Sequence, residues 1–124
     1  LAYEVARQFG VRCVFAERVE GVFTFRRGFH VDPEEKILLV EDIVTTGGSV
    51  LEVLDLVRQT GATVQGIGLI IDRSNGAFGP DVEWSALYTA AVENYQPDEC
   101  PLCVQNIPLT SRGRSGKMQN SRST

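Results

Sequence analysis

The sequence lacks the long apolar runs, the basic excess and the cysteine pairing that mark several large classes of protein. No apolar run in its 124 residues approaches the ~20 needed to span a bilayer, and no stretch reads as a signal peptide. Cysteine is sparse and odd in number, three in all, which suits a reducing cytosol better than a disulfide framework; the expected location is cytoplasmic. The formal charge of −4 speaks against the basic face of a nucleic-acid surface, so neither nucleic acid nor a membrane is an expected partner. No lysine stands between Lys36 and Lys117. That absence removes the Gly-Lys-Ser/Thr ending of a nucleotide triphosphatase loop, and also the later-strand lysine of a two-component receiver domain. An initiating methionine is missing too: Leu1 opens directly into a helical pattern with no capping residue before it, and a chain cut from a longer protein is expected. There is no internal repeat and no second domain. With 43% hydrophobic residues, however, a core can form and disorder is not the default.

What is present centres on Lys36 to Val50. Ile37 to Val40 is an unbroken, branched apolar run suited to a strand buried on both faces. Glu41 and Asp42 stand where that strand is expected to end. Ile43, Val44, Thr45, Thr46, Gly47, Gly48 and Ser49 follow, and the chain then turns apolar at helical spacing through Val50, Leu51, Val53, Leu54 and Val57. Strand, small-residue loop and helix in this order form an anion cradle, because glycines allow close backbone approach and free N–H groups at a helix start point at the anion. Thr45, Thr46 and Ser49 add hydroxyl donors. The two carboxylates would repel a bare phosphate, so the ligand should also carry hydroxyls or a divalent cation. A sugar phosphate with a metal-complexed diphosphate has all of these parts. The bland alternative is a buried strand, a Gly-rich turn and an amphipathic helix, but two acids and three hydroxyls exceed what a turn requires.

Val40 to Ser49 resembles the phosphoribosyl pyrophosphate motif of the type I phosphoribosyltransferases, and with its flanks is most similar to bacterial orotate phosphoribosyltransferase. The resemblance covers Leu1 to about Leu109. It implies an α/β fold with a mainly parallel central sheet flanked by helices, with the N-terminal part missing. It also implies that Glu41 and Asp42 hold the ribose hydroxyls and are the catalytic carboxylates, favouring the cationic sugar, and that residues 43–49 wrap the 5′-phosphate. Thr45 and Arg73 are implied as orotate contacts, and Mg²⁺ is implied as substrate-borne, with no protein metal ligand named. The implied reaction transfers phosphoribose to orotate, giving orotidine 5′-monophosphate and diphosphate in pyrimidine (UMP) biosynthesis. The implied assembly is a homodimer. Because the family's diphosphate loop precedes the first helix, the chain by itself is expected to be inactive.

Along the chain, Ala2, Val5, Ala6 and Phe9 fall on one helical face with a stop at Gly10. Val11 to Ala16 reads as a central strand that buries Cys13. Residues 20–30 read either as a solvated hairpin with charged tips or as a flap bringing cations to a diphosphate. The family places a flexible loop there whose lysines and histidine reach the partner's site. This chain departs from that pattern, since Arg18, Arg26 and Arg27 are the available cations and His30 lies nearby. The signature strand, Lys36 to Glu41, is expected at the centre of the sheet, with a helix from about Ser49 to Thr60. A parallel strand follows over Thr63 to Ile71. Asp72-Arg73-Ser74 at its end is either a ligand contact or a surface pair and cap. Asn75 to Pro80 is a turn-rich loop, and Trp84 to Val92 a further strand. Cys100-x-x-Cys103 lacks two further zinc ligands; a redox motif should open a helix in a thioredoxin-like unit, which the sequence does not suggest, so a reduced C-terminal element is expected. One domain is expected over 1–109, with a disordered polar tail over 110–124. Two other functions stay open. A purine phosphoribosyltransferase would share residues 41–49 and differ at Arg73, and a non-catalytic phosphoribosyl pyrophosphate-sensing transcription regulator would keep the fold.

Overall fold

The computed structural model describes residues 1–93, 95–96 and 98–107. The chain divides into two compact units, Leu1–Val92 and a second beginning at Glu93. Residues 108–109 of the expected domain and the whole of the expected tail, 110–124, lie outside the described residues. The first unit holds helix α1 (Ala2–Phe9), strands β1 (Ala16–Val19), β2 (Val22–Phe25) and β3 (Lys36–Val44), helix α2 (Gly48–Gln59), and strands β4 (Thr63–Asp72) and β5 (Trp84–Thr89). Among the described residues of the second unit there is one helical turn, α3 (Pro101–Val104).

The expected parallel α/β arrangement is there. β3, β4 and β5 form one sheet in that order, and both pairings are parallel. The expected centre is not: β4 lies in the middle, and the signature strand β3 is an edge of this sheet. The reason lies in residues 11–25. The strand expected over Val11 to Ala16 does not form; residues 11–15 have no strand pairing, and the chain from Ala16 folds back on itself as the antiparallel pair β1–β2. Glu20 (φ 50) and Gly21 (φ 88) join these strands, the two positive φ values of the tight turn that matches strand twist. A two-residue loop costs far less closure entropy than a distant parallel partner, so local pairing wins. Cys13, expected in the core, is only half-buried as a result.

β3 also runs past its expected end. Ile43 and Val44 pair with Ile71 and Asp72, so Glu41 and Asp42 lie within the strand rather than beyond it. Burial of Val44 drives this extension, since its side chain joins Val50, Ile67, Leu69 and Phe78 in one core cluster. A second cluster gathers Val31, Val57 and Ala62 around the far end of α2. The helix therefore packs along its whole length, through Val50, Leu54 and Val57. By contrast α1 buries only Ala6, and Phe9, expected on its inward face, is 71% exposed.

Parallel neighbours need a crossover, usually a helix. α2 serves β3 and β4. Between β4 and β5 the chain has no helix, and residues 73–83 cross over irregularly. Phe78 takes the place of a helix face, buried among Val44, Val50, Ile67 and Leu69 and set edge-on to Trp84 at 5.1 Å between centroids. An ion pair of 2.7 Å from Arg58 on α2 to Asp81 ties the crossover down. In the second unit Cys100 occupies the N-cap of α3, with Pro101 in the first turn. The Cys-x-x-Cys thus does open a helical turn, contrary to expectation, because proline at that position presets a helical φ. Cys100 and Cys103 are not joined in a disulfide. No helix among the described residues is long and apolar enough to cross a membrane.

Leu54 is 2% exposed, whereas Leu87 on β5 is 85% exposed. Leu54→Ala is expected to lower unfolding free energy by about 2–5 kcal/mol, and Leu87→Ala by no more than about 0.5 kcal/mol. Urea titration followed by circular dichroism measures both, and equal losses would mean that α2 does not form the core described.

Candidate functional site

Parallel strands release their chains at one end of a sheet, and the open end of a connecting helix meets them there. β3 ends at Val44, and α2 begins at Gly48. Between them, Thr45, Thr46 and Gly47 turn the chain, and with Glu41, Ile43, Val44, Gly48, Ser49 and Val50 they line an open concavity of about 260 Å³. Gly47 is the N-cap of α2, in the left-handed region (φ 81), and no side chain caps the helix. The first intrahelical bond runs from the Leu51 N–H to the Gly47 carbonyl at 2.9 Å. Amides before Leu51 have no partner one turn back. Gly48 N–H has only a long 3.5 Å contact to Thr46 Oγ1. A helix start left uncapped, ringed by the exposed residues Thr45, Thr46 and Ser49, is suited to an anion through its N–H groups and its dipole.

The two acids separate. Glu41 lines the concavity and Asp42 does not, since adjacent strand residues point to opposite faces. Glu41 nevertheless curls back, its Oε1 accepting the Asp42 N–H at 2.9 Å. Partial burial pushes the Glu41 carboxyl above its ordinary value of 4.5, and the adjacent Asp42 carboxylate adds to the rise; the Asp42 N–H opposes it without cancelling it. No three His, Cys, Asp or Glu side chains cluster as a metal site among the described residues.

Arg73, at the end of β4, is brought beside the end of β3, where its backbone N–H donates to the Val44 carbonyl at 2.8 Å. Its side chain does not line the concavity. Its Nε, like the Ser74 hydroxyl, is buried without a hydrogen-bond partner. Asp72 is buried as well, and its Oδ1 accepts the Ser74 N–H at 2.8 Å. The three loop cations are not gathered at the concavity. Arg18 pairs with Glu52 at 2.9 Å and lies over the Phe23 ring, while Arg27 pairs with Glu17 at 2.9 Å. His30 faces Asp32 at 3.8 Å. Sequence reasoning passes over Phe78, whose ring backs Gly47. A single large aromatic in a stretch of turn residues is the signal that could have found it.

The phosphoribosyl transferase domain family matches residues 1–96. The chain belongs to the phosphoribosyl transferase family. An orotate phosphoribosyltransferase of Pelotomaculum thermopropionicum is 54% identical over 113 residues, which are 91% of this chain and 60% of that protein. That of Desulforamulus reducens is 50% identical over 91% of this chain and 59% of its own length. The chain thus spans about 60% of the curated relatives it matches. Among solved structures, adenine phosphoribosyltransferase from Saccharomyces cerevisiae superposes with a TM-score of 0.55 at 17% identity, over 68% of this chain and 56% of that one. At that identity the likeness concerns the fold alone. Residues 41–49 form the end of β3, the turn into α2 and the first residues of that helix.

A carboxyl whose folded value is raised holds extra protons in the native state, so stability falls as pH rises from about 4.5 through the raised value. Glu41→Gln is therefore expected to raise the melting temperature at pH 7 and to lose that advantage near pH 4. Scanning calorimetry at the two pH values checks this. A pH-independent difference would show that the ionised carboxylate is not the source.

Proposed function

We propose that this chain carries the phosphoribosyl pyrophosphate cradle of an orotate phosphoribosyltransferase, which transfers phosphoribose to orotate and releases orotidine 5′-monophosphate and diphosphate. The observation that carries the reading is the uncapped start of α2, ringed by three hydroxyl side chains with a carboxylate on the same wall. A phosphate accounts for the amides, and ribose hydroxyls account for Glu41. Relatives bearing the orotate phosphoribosyltransferase name support the choice of base.

In the proposed reaction the bond from the anomeric carbon to diphosphate breaks, and a bond to the orotate ring nitrogen forms as that nitrogen gives up its proton, which the departing diphosphate takes up. Positive charge grows on the sugar as the leaving group departs. The amides of 48–50, with Thr45, Thr46 and Ser49, hold the 5′-phosphate and so fix the ribose in position. Ile43 and Val44 supply backbone to the same wall. Glu41 accepts the ribose hydroxyls from the wall of the cradle, Asp42 stands beside it on the neighbouring face, and the charge of the pair favours the cationic sugar. Arg73 pairs with the orotate carboxylate, with Thr45 beside the base; an unpartnered buried Nε–H is a donor awaiting an acceptor. The Glu41 carboxylate on the wall of the cradle suits a hydrated Mg²⁺ that is bound mainly through substrate phosphates. That magnesium, carried by the substrate, would supply charge neutralisation to the leaving diphosphate.

The cations Arg18, Arg26 and Arg27 lie outside this chain's own concavity, which favours a homodimer in which the hairpin serves the partner's site. A cytoplasmic location accords with pyrimidine synthesis.

Arg73→Ala and Asp42→Asn separate the two halves of the proposal. In the intact natural protein, with any sequence that flanks these residues, Arg73→Ala is expected to weaken orotate binding by about one to two decades, the loss of one charge-assisted contact. Phosphoribosyl pyrophosphate affinity should stay nearly unchanged. Asp42→Asn should impair turnover and ribose engagement more than orotate recognition. Calorimetric titration with each ligand, after circular dichroism has verified folding, measures both. Unchanged orotate affinity in Arg73→Ala would point to a different base.

A further inference from the structure

Glycine gives the phosphate loop its shape but not its rigidity. A residue without Cβ enters the left-handed region as readily as it leaves it, and Gly47 carries the turn that aims the first amides of α2 at the concavity. No side chain caps that helix start, and the Thr46 hydroxyl contact to Gly48 is long at 3.5 Å. The close packing on Gly47 comes from the distant crossover. A Cβ built on Gly47 would fall 2.3 Å from Cδ2 and 2.9 Å from Cε2 of Phe78, so the ring fills the space where a side chain would stand. Phe78 is 3% exposed and does not line the concavity itself. It presses on the loop from behind.

We propose that Phe78 is a positioning residue for the phosphate loop: its ring wedges Gly47 into the left-handed turn and so keeps the amides of Gly48, Ser49 and Val50 aimed at the 5′-phosphate. The role of those amides rests on the function proposed above. The wedge is itself braced on both sides. On the C-terminal side, Trp84 meets the ring edge-on, and Asp81 is held by Arg58. On the N-terminal side, the Ala77 N–H donates to the Ser74 carbonyl at 3.0 Å, and the Arg73 N–H donates to Val44 at 2.8 Å. One irregular segment therefore carries the proposed base-reading arginine at its start and the brace of the phosphate loop at its middle.

A residue serving only the core would, when trimmed, lower stability without favouring one ligand. A wedge makes a different demand. In the intact protein, Phe78→Leu is expected to raise the Kd for ribose 5-phosphate about tenfold, with the orotate Kd changed less than about threefold, a loss confined to one ligand. Amide hydrogen exchange at residues 48–50 should quicken while that of β4 stays as it was. Leucine keeps most of the buried volume, so this variant carries the test if Phe78→Ala does not fold. Equal weakening of both ligands, or a lower melting temperature with unchanged ribose 5-phosphate affinity, would overturn the proposal. Should the unsubstituted protein not bind ribose 5-phosphate, the phosphate reading is what fails. The wedge is then decided by exchange alone: faster exchange at 48–50 in Phe78→Leu upholds it, and unchanged exchange overturns it.

Discussion

Parallel pairing of β3 with β4 is the constraint from which the rest of the site descends. Two parallel neighbours cannot be joined by a tight turn, so the chain must leave the end of β3, travel back along the sheet and re-enter at the start of β4. α2 makes that journey, packing Val50, Leu54 and Val57 beneath it. Its N-terminus is thereby delivered to the end of the strands, where the unpaired amides and the dipole converge on open space. The same pairing, read through to Ile43–Ile71 and Val44–Asp72, sets Arg73 beside the end of the signature strand. One hydrogen-bond ladder thus brings together residues nearly thirty positions apart.

Several features of this corner work against the stability of the fold. Glu41 is partly withdrawn from water and lies next to a second carboxylate. Arg73 Nε and the Ser74 hydroxyl are buried without partners, and the start of α2 has no cap. Each costs free energy that a well-designed structural corner would avoid, on the order of 1 kcal/mol for a missing cap and about 1–3 kcal/mol for an unsatisfied buried polar group. Their gathering at one end of one sheet is what favours the proposed binding site over a plain turn. The stabilising counterweight lies directly below, in the cluster of Val44, Val50, Ile67, Leu69 and Phe78.

The crossover from β4 to β5 shows how an irregular segment can act as a rigid one. It lacks a helix, yet it is pinned at its entry by Arg73 and Val44, at its middle by Phe78, and near its exit by the Arg58–Asp81 pair. The exposed ion pair contributes little by itself. The buried ring contributes most, through apolar area removed from water. Flexibility is thus not what irregular backbone implies here.

The sequence by itself determined the elements whose signals are local. Apolar spacing marked α1 and α2, the run Ile37–Val40 and the stretch Thr63–Ile71 marked β3 and β4, and strand–helix–strand order implied their parallel pairing. The cradle proposed for residues 41–49 could be read from the sequence for the same reason, because an anion cradle is built from consecutive residues whose backbone supplies the donors. Tertiary structure alone decided what depends on partners far along the chain. It made β4 rather than β3 the middle strand, since Ala16–Phe25 found a nearer partner in itself. It extended β3 beyond the two acids, through the burial of Val44, and so turned Glu41 toward the cradle and Asp42 away. It also set the Phe78 ring against Gly47. Thirty-one positions separate that ring from that glycine, and the distance of 2.3 Å from a Cβ that glycine lacks exists only once the sheet has closed between them.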